Sequence, residues 1–153
     1  MDAIANQSDI QPQLLTIGGK ERIYLPDVRK APFVARVDTG AKTSALHCFS
    51  AHVEKMKRKE VLCVQFSKNS RMVVRFPKFS RRSVRSSNGH VQQRFSVMLT
   101  VVFGDQKYRT PFTLTNRSDM NFAALLGRRF LRNRFQVDVS KSYTVKTSKK
   151  LIE

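Results

Sequence analysis

Residues 33–41 read FVARVDTGA. The first part alternates apolar and polar side chains, the period-two signature of a half-buried strand. That strand runs straight into a carboxylate, Asp38, followed at once by Thr39-Gly40-Ala41. A strand that delivers a carboxylate into a tight turn of small residues keeps its oxygens accessible and lets another chain come close. An Asp that simply caps its turn is the alternative, and these three residues alone do not separate the two.

Working outward from this segment, strands dominate. LLTI (14–17) passes through Gly18-Gly19 into Arg22-Ile23-Tyr24-Leu25, which Pro26 stops. EVLCVQF (60–66) and RMVVRF (71–76) flank the turn-like Ser67-Lys68-Asn69-Ser70. Residues 91–103 form a long strand, Gly104-Asp105 turns the chain, and KYRTPFTLT (107–115) returns as a hairpin. In NFAALLGRRFLRNRF (121–135) the apolar run ending at Gly127 reads as a buried strand, and Arg128 to Asn133 as one or two helical turns. FQVDVS (135–140) and SYTVK (142–146) read as closing strands. The expected class is all-β, a closed or sandwich-like barrel with one short helix near the C-terminus. Residues 1–13, polar and carrying Pro12, read as a disordered leader, and 14–153 as one domain.

The chain has 153 residues, 41% of them hydrophobic, enough for a real core and against wholesale disorder. No apolar stretch approaches the ~20 residues of a membrane-spanning helix, and no secretory signal is evident, so the expected compartment is the cytoplasm. Cys48 and Cys63 are too few for a disulfide framework. Lys and Arg number 29 against 11 Asp and Glu, a formal +18. From Lys55 to Arg94 the one acidic residue is Glu60. Such a surface attracts RNA, a ribosome or an acidic polypeptide, but a solvated basic face is also consistent with it.

Four segments in order resemble the bacterial retropepsin-like aspartic endopeptidase family, whose members also go by the label ATP-dependent zinc protease. They are VDTGAKTSALH (37–47), VRSSNGHVQQR (84–94), TLTNRSDMNFAALLGRRFL (113–131) and VDVSKSY (137–143). The resemblance implies a retropepsin-type barrel and an aspartic peptidase with Asp38, Thr39 and Gly40 as its catalytic turn. Because the chain carries one Asp-Thr-Gly, it also implies a homodimer in which Asp38 faces Asp38 of a second copy. Two carboxyls so close share one proton; the ionised one activates water and the neutral one polarises the scissile carbonyl. Thr39 would interlock across the axis, and Gly40 and Ala41 would border the substrate. Leu126, Gly127 and Arg128 would support the turn. Ser86, Ser87, Asn88 and Gly89 would form the tip of a flap, with an ordinary hairpin turn as the alternative. Asp119 and Asp138 are rival second carboxylates, the first read as a loop residue and the second as structural.

One departure stands out. Viral retropepsins commonly place an Asp after the turn to pair with the Arg of Leu-Gly-Arg, whereas this chain has Lys42 there. As for metals, His47, Cys48, His52 and Cys63 are soft or borderline donors. Adjacent His47 and Cys48 point to opposite faces of a strand, and no HExxH or GxxxxGK[ST] segment occurs. No metal ligand is therefore assigned, and neither zinc nor ATP is supported as a cofactor. Family members occur fused or linked to ATP-grasp ligases that add glutamate to a ribosomal protein. The expected partners are thus a peptide or protein substrate, acidic by charge matching, and a glutamate ligase or ribosome. The alternative is a catalytically silent basic module that docks on RNA, ribosome or ligase.

Overall fold

The computed structural model describes residues 13–86, 88–117 and 120–152. Most of the expected leader, Ser87 of the expected flap tip, and Asp119 lie outside the described residues. The first strands are β1 (Leu15–Ile17), β2 (Lys20–Ile23), β3 (Phe33–Val37), β4 (Ser44–His47), β5 (Ser50–Met56), β6 (Lys59–Gln65) and β7 (Val74–Phe76). Next come β8 (Ser80–Arg85), β9 (Val91–Phe103), β10 (Gln106–Thr115), β11 (Ala124–Leu126), α1 (Arg128–Leu131), β12 (Phe135–Val137) and α2 (Lys149–Ile152).

Seven strands form the main sheet in the order β2-β3-β11-β4-β10-β9-β8. β11 lies between β3 and β4, the two strands that the Asp38 turn connects. It runs parallel to β3, with Val37 opposite Leu126, and antiparallel to β4, with Ala45 opposite Leu125. Residues 38–43 must therefore arch over the end of β11. β5, β6 and β7 make a separate antiparallel sheet, and β1 pairs with β12 in a third. Phe103, Phe112 and Phe130 are fully buried. Phe130 stacks on Phe135 at 5.3 Å and meets the edge of Tyr108, also at 5.3 Å, so α1 is pinned to β10 and β12. Burying one such ring stabilises by about 1.5–3 kcal/mol.

The structure corrects three expectations. Among the described residues the sheets are open and no closed barrel forms: β2 and β8 are both edges, and one bridge, Tyr24 to Val102, ties the end of β2 to β9. Pro26 follows two residues later and has no N–H with which to extend that ladder. The other edge, β8, carries Arg81, Arg82 and Arg85, charges that discourage further pairing. There are two short helices among the described residues rather than one. SYTVK is not a strand. Glu21, fully buried on β2, takes its amides instead: Oε2 accepts from Thr144 N–H (3.1 Å) and Thr144 Oγ1 (2.8 Å), and Oε1 from Val145 N–H (3.2 Å). Oε2 also accepts from Gly18 N–H at 2.7 Å. The carboxylate thus straps the C-terminal segment to the N-terminal strands. No helix is long and apolar enough to cross a membrane among the described residues.

Candidate active site

Asp38 follows β3 directly and keeps its pairing, since its N–H donates to Leu126 O at 2.9 Å. Its Oδ1 accepts the Gly40 N–H at 2.9 Å, and its carbonyl accepts the Ala41 N–H at 3.2 Å. The Asp side chain thereby closes the turn on itself. Asp38 is half-buried, and Thr39 and Gly40 are exposed.

The Leu126-Gly127-Arg128 segment holds this turn from below. The first amides of a helix have no intrahelical acceptor; here Arg128 N–H donates to Ala41 O (2.8 Å) and Arg129 N–H to Lys42 O (3.0 Å). Gly127 N–H donates to the buried Ser44 Oγ at 3.1 Å. A Cβ at Gly127 would stand 2.6 Å from the Thr43 carbonyl carbon and oxygen. Close approach, not an unusual φ, is why glycine sits there. Arg128 Nη1 donates to Thr39 O at 3.2 Å. With Lys42 where the resemblance expects an acidic partner, this guanidinium binds a backbone carbonyl of the Asp38 turn instead.

Beside the turn opens a cleft of about 560 Å³. Its walls are residues 40–43, the arms of the β8–β9 hairpin and the start of α1. Among the described residues seven cations line it (Lys42, Arg82, Arg85, Arg94, Arg117, Arg128 and Arg129) and none of the described lining residues is acidic. Ala45, Leu125 and Val84 supply apolar surface. Ser86, Asn88 and Gly89 form the hairpin tip: Gly89 N–H donates to Ser86 O (3.0 Å), Ser86 Oγ bonds Asn88 Oδ1, and Gly89 has φ +86°. The described tip residues do not line the cleft; the hairpin arms do. Sequence reading missed these arginines as a set, because their convergence depends on the pairing of β8 with β9. A second hollow of about 360 Å³ flanks Thr39 and Arg128, lined by Leu131, Arg132, Phe135 and Val137.

The donors considered for metal separate into two groups. His47 Nδ1 accepts the Arg117 N–H at 2.7 Å, so this ring fixes the chain next to the cleft. Burial, then the Arg117 charge, holds its pKa below the ordinary 6.5. Cys48 is buried, which pushes its thiol up to about 11. His52 and Cys63 do converge, together with Glu54, a residue sequence reading passed over. Asp138 is tied to its own loop, Oδ1 accepting from Ser140 N–H (3.0 Å) and Oγ (2.6 Å), and those bonds hold its carboxyl below the usual range.

The RimB-like family, described as retropepsin-like aspartic endopeptidase RimB, matches residues 16–148. The chain belongs to this family. Among curated relatives, a probable alpha-L-glutamate ligase of Shewanella halifaxensis is 32% identical over 134 residues, covering 83% of this chain and 29% of that protein. One of the same name from Parasynechococcus marenigrum is 32% identical over 136 residues, 84% of this chain and 29% of that protein. The chain thus spans less than a third of these relatives' length. A crystal structure of a Legionella pneumophila protein of unknown function matches with a TM-score of 0.70 and 25% identity, over 86% of this chain and 98% of that one.

Proposed function

We propose that this chain is an aspartic endopeptidase that acts as a homodimer on acidic peptides, with one Asp38 from each subunit. The observation that carries the reading is a self-closed Asp38 turn at the rim of a cleft whose described lining has seven cations and no acid. One Asp-Thr-Gly supplies one carboxylate, and two-fold symmetry supplies the second. Paired carboxyls cannot both ionise, so one stays protonated to polarise the scissile carbonyl while the other takes a proton from the attacking water. Thr39 interlocks with its counterpart across the axis, Gly40 and Ala41 border the substrate backbone, and the β8–β9 hairpin closes over it. The hollow beside Thr39, lined by Leu131, Phe135 and Val137, offers apolar surface for the second copy. Residues 14–153 form one domain in this account, working in the cytoplasm.

The substrate class follows from charge. Arg82 and Arg94 stand opposite each other across β8 and β9. Like charges placed so destabilise a sheet, and a carboxylate between them relieves the repulsion. The relatives named as glutamate ligases make a glutamate-extended chain the natural candidate. Sedimentation should show a dimer, and a strict monomer at high concentration removes the symmetric dyad. A glutamate-rich peptide should be cut faster than its glutamine counterpart and should lose that advantage as salt rises; equal cleavage removes the acidic-substrate reading.

A second reading is favoured by one observation: the matching region is under a third of each ligase relative. The domain would then serve as a silent docking module for a ligase, ribosome or RNA. Salt-sensitive binding without any cleavage would select it.

A further inference from the structure

Three potential metal donors gather on one face of the β5–β6–β7 sheet, among residues that line neither the Asp38 turn nor the basic cleft. His52 and Glu54 are two apart on β5 and so share a face. Cys63 lies directly opposite His52 on β6. One donor atom from each comes within 4.8 Å of the others, and His52 Nε2 lies 2.9 Å from Glu54 Oε1. The side chains of His52 and Glu54 are 59% and 48% exposed, whereas Cys63 is buried at 2%. The cluster therefore opens to solvent and has a sulfur at its base.

We propose that His52, Glu54 and Cys63 bind a zinc ion that ties β5 to β6. Zinc takes nitrogen and oxygen donors at about 2.0–2.2 Å and sulfur at about 2.3 Å, so tetrahedral ligands stand roughly 3.5 Å apart. Contracting the present cluster to that spacing needs about 1 Å of movement, which two exposed side chains supply by rotamer adjustment while the sulfur stays in place. Thiolate and imidazole together select zinc over magnesium or calcium. Binding releases the Cys63 thiol proton to solvent and replaces the His52–Glu54 hydrogen bond with two bonds to the ion. Three protein ligands leave a fourth position for water or an anionic group. One charge opposes the ion: Arg75 on β7 lies opposite Cys63, and its field reaches both Cys63 and Glu54. Thiolate and carboxylate offset the two charges of zinc, and Arg75 leaves one positive charge in excess.

The test is a Co²⁺ titration of the chelator-stripped protein, followed by Zn²⁺ displacement. A thiolate-to-cobalt absorption band should grow to one equivalent and be bleached by Zn²⁺, and Zn²⁺ should raise Tm. Cys63→Ala should abolish the band. His52→Gln, an exposed change that leaves the core intact, should weaken binding by at least about tenfold. Arg75→Gln should tighten it, while His90→Gln should leave it unchanged. The proposal is overturned by the absence of a band up to about millimolar Co²⁺, or by a band that survives Cys63→Ala or is indifferent to His52→Gln.

Discussion

Replacing Gly127 by Ala tests how the β11–α1 junction supports the Asp38 turn. The new Cβ would sit 2.6 Å from Thr43 C and O and 3.0 Å from Ala41 O, all of them backbone atoms. Restoring ordinary contact requires a shift of roughly 0.8 Å. No flexible side chain can give way, so the turn or the helix start must move. Overpacking of this kind costs about 1–3 kcal/mol. The same shift stretches Gly127 N–H to Ser44 Oγ (3.1 Å) and Arg128 N–H to Ala41 O (2.8 Å), each worth about 1 kcal/mol. A total near 3 kcal/mol lowers Tm by roughly 6–12 °C for a chain of this size. Thermal melts followed by circular dichroism measure it. Gly89→Ala is the comparison: nothing lies within 4 Å of its Cβ, but φ is +86°, so strain alone, about 1 kcal/mol, applies. A Gly127→Ala melt within about 2 °C of the parent, or a smaller drop than Gly89→Ala gives, would refute the reasoning.

Other perturbations follow from the same contacts. Glu21→Ala leaves four donors without their acceptor in a buried site and should cost about 4 kcal/mol by denaturant titration, with Glu21→Gln milder; an unchanged midpoint would mean that the C-terminal strap contributes nothing. His47 is held below its ordinary 6.5, so the unfolded chain binds its proton more readily, and this contribution to stability is lost as pH falls from about 6.5 through the lowered value. His47→Asn, whose Oδ1 can accept from Arg117 N–H without titrating, should flatten that part of a stability-versus-pH curve; an unaltered slope would remove His47 as its source. Arg85→Gln together with Arg94→Gln should raise KM for a glutamate-rich peptide by about tenfold with little change in kcat, and a fall in kcat alone would contradict a binding role.

Much of the fold was legible because it depends on local pattern. The 91–103 strand, the Gly104-Asp105 turn and the short helix after Gly127 are found where the sequence places them. β5 was not legible, because its hairpin turn uses Lys57 and Arg58 at φ 49° and 71° in place of the Asn-Gly that usually marks such turns. The SYTVK segment looks like a strand by composition, yet a carboxylate more than a hundred residues away takes its amides. The Asp38 turn and its Leu-Gly-Arg support were readable as motifs. The family resemblance placed the two together, but residue spacing does not encode the hydrogen bonds between them, which require β11 to insert between β3 and β4. The arginine-lined cleft and the His52–Glu54–Cys63 cluster are likewise products of cross-strand register, which residue spacing along a single strand does not encode.

The most direct measurement is cleavage of a glutamate-rich peptide by the purified protein and by Asp38→Asn, side by side from about pH 4 to 7, with and without chelator. Cleavage by the parent should survive chelator, and Asp38→Asn should abolish it at every pH. Cleavage retained by Asp38→Asn, or absent from a parent protein shown to be folded and dimeric, would contradict it.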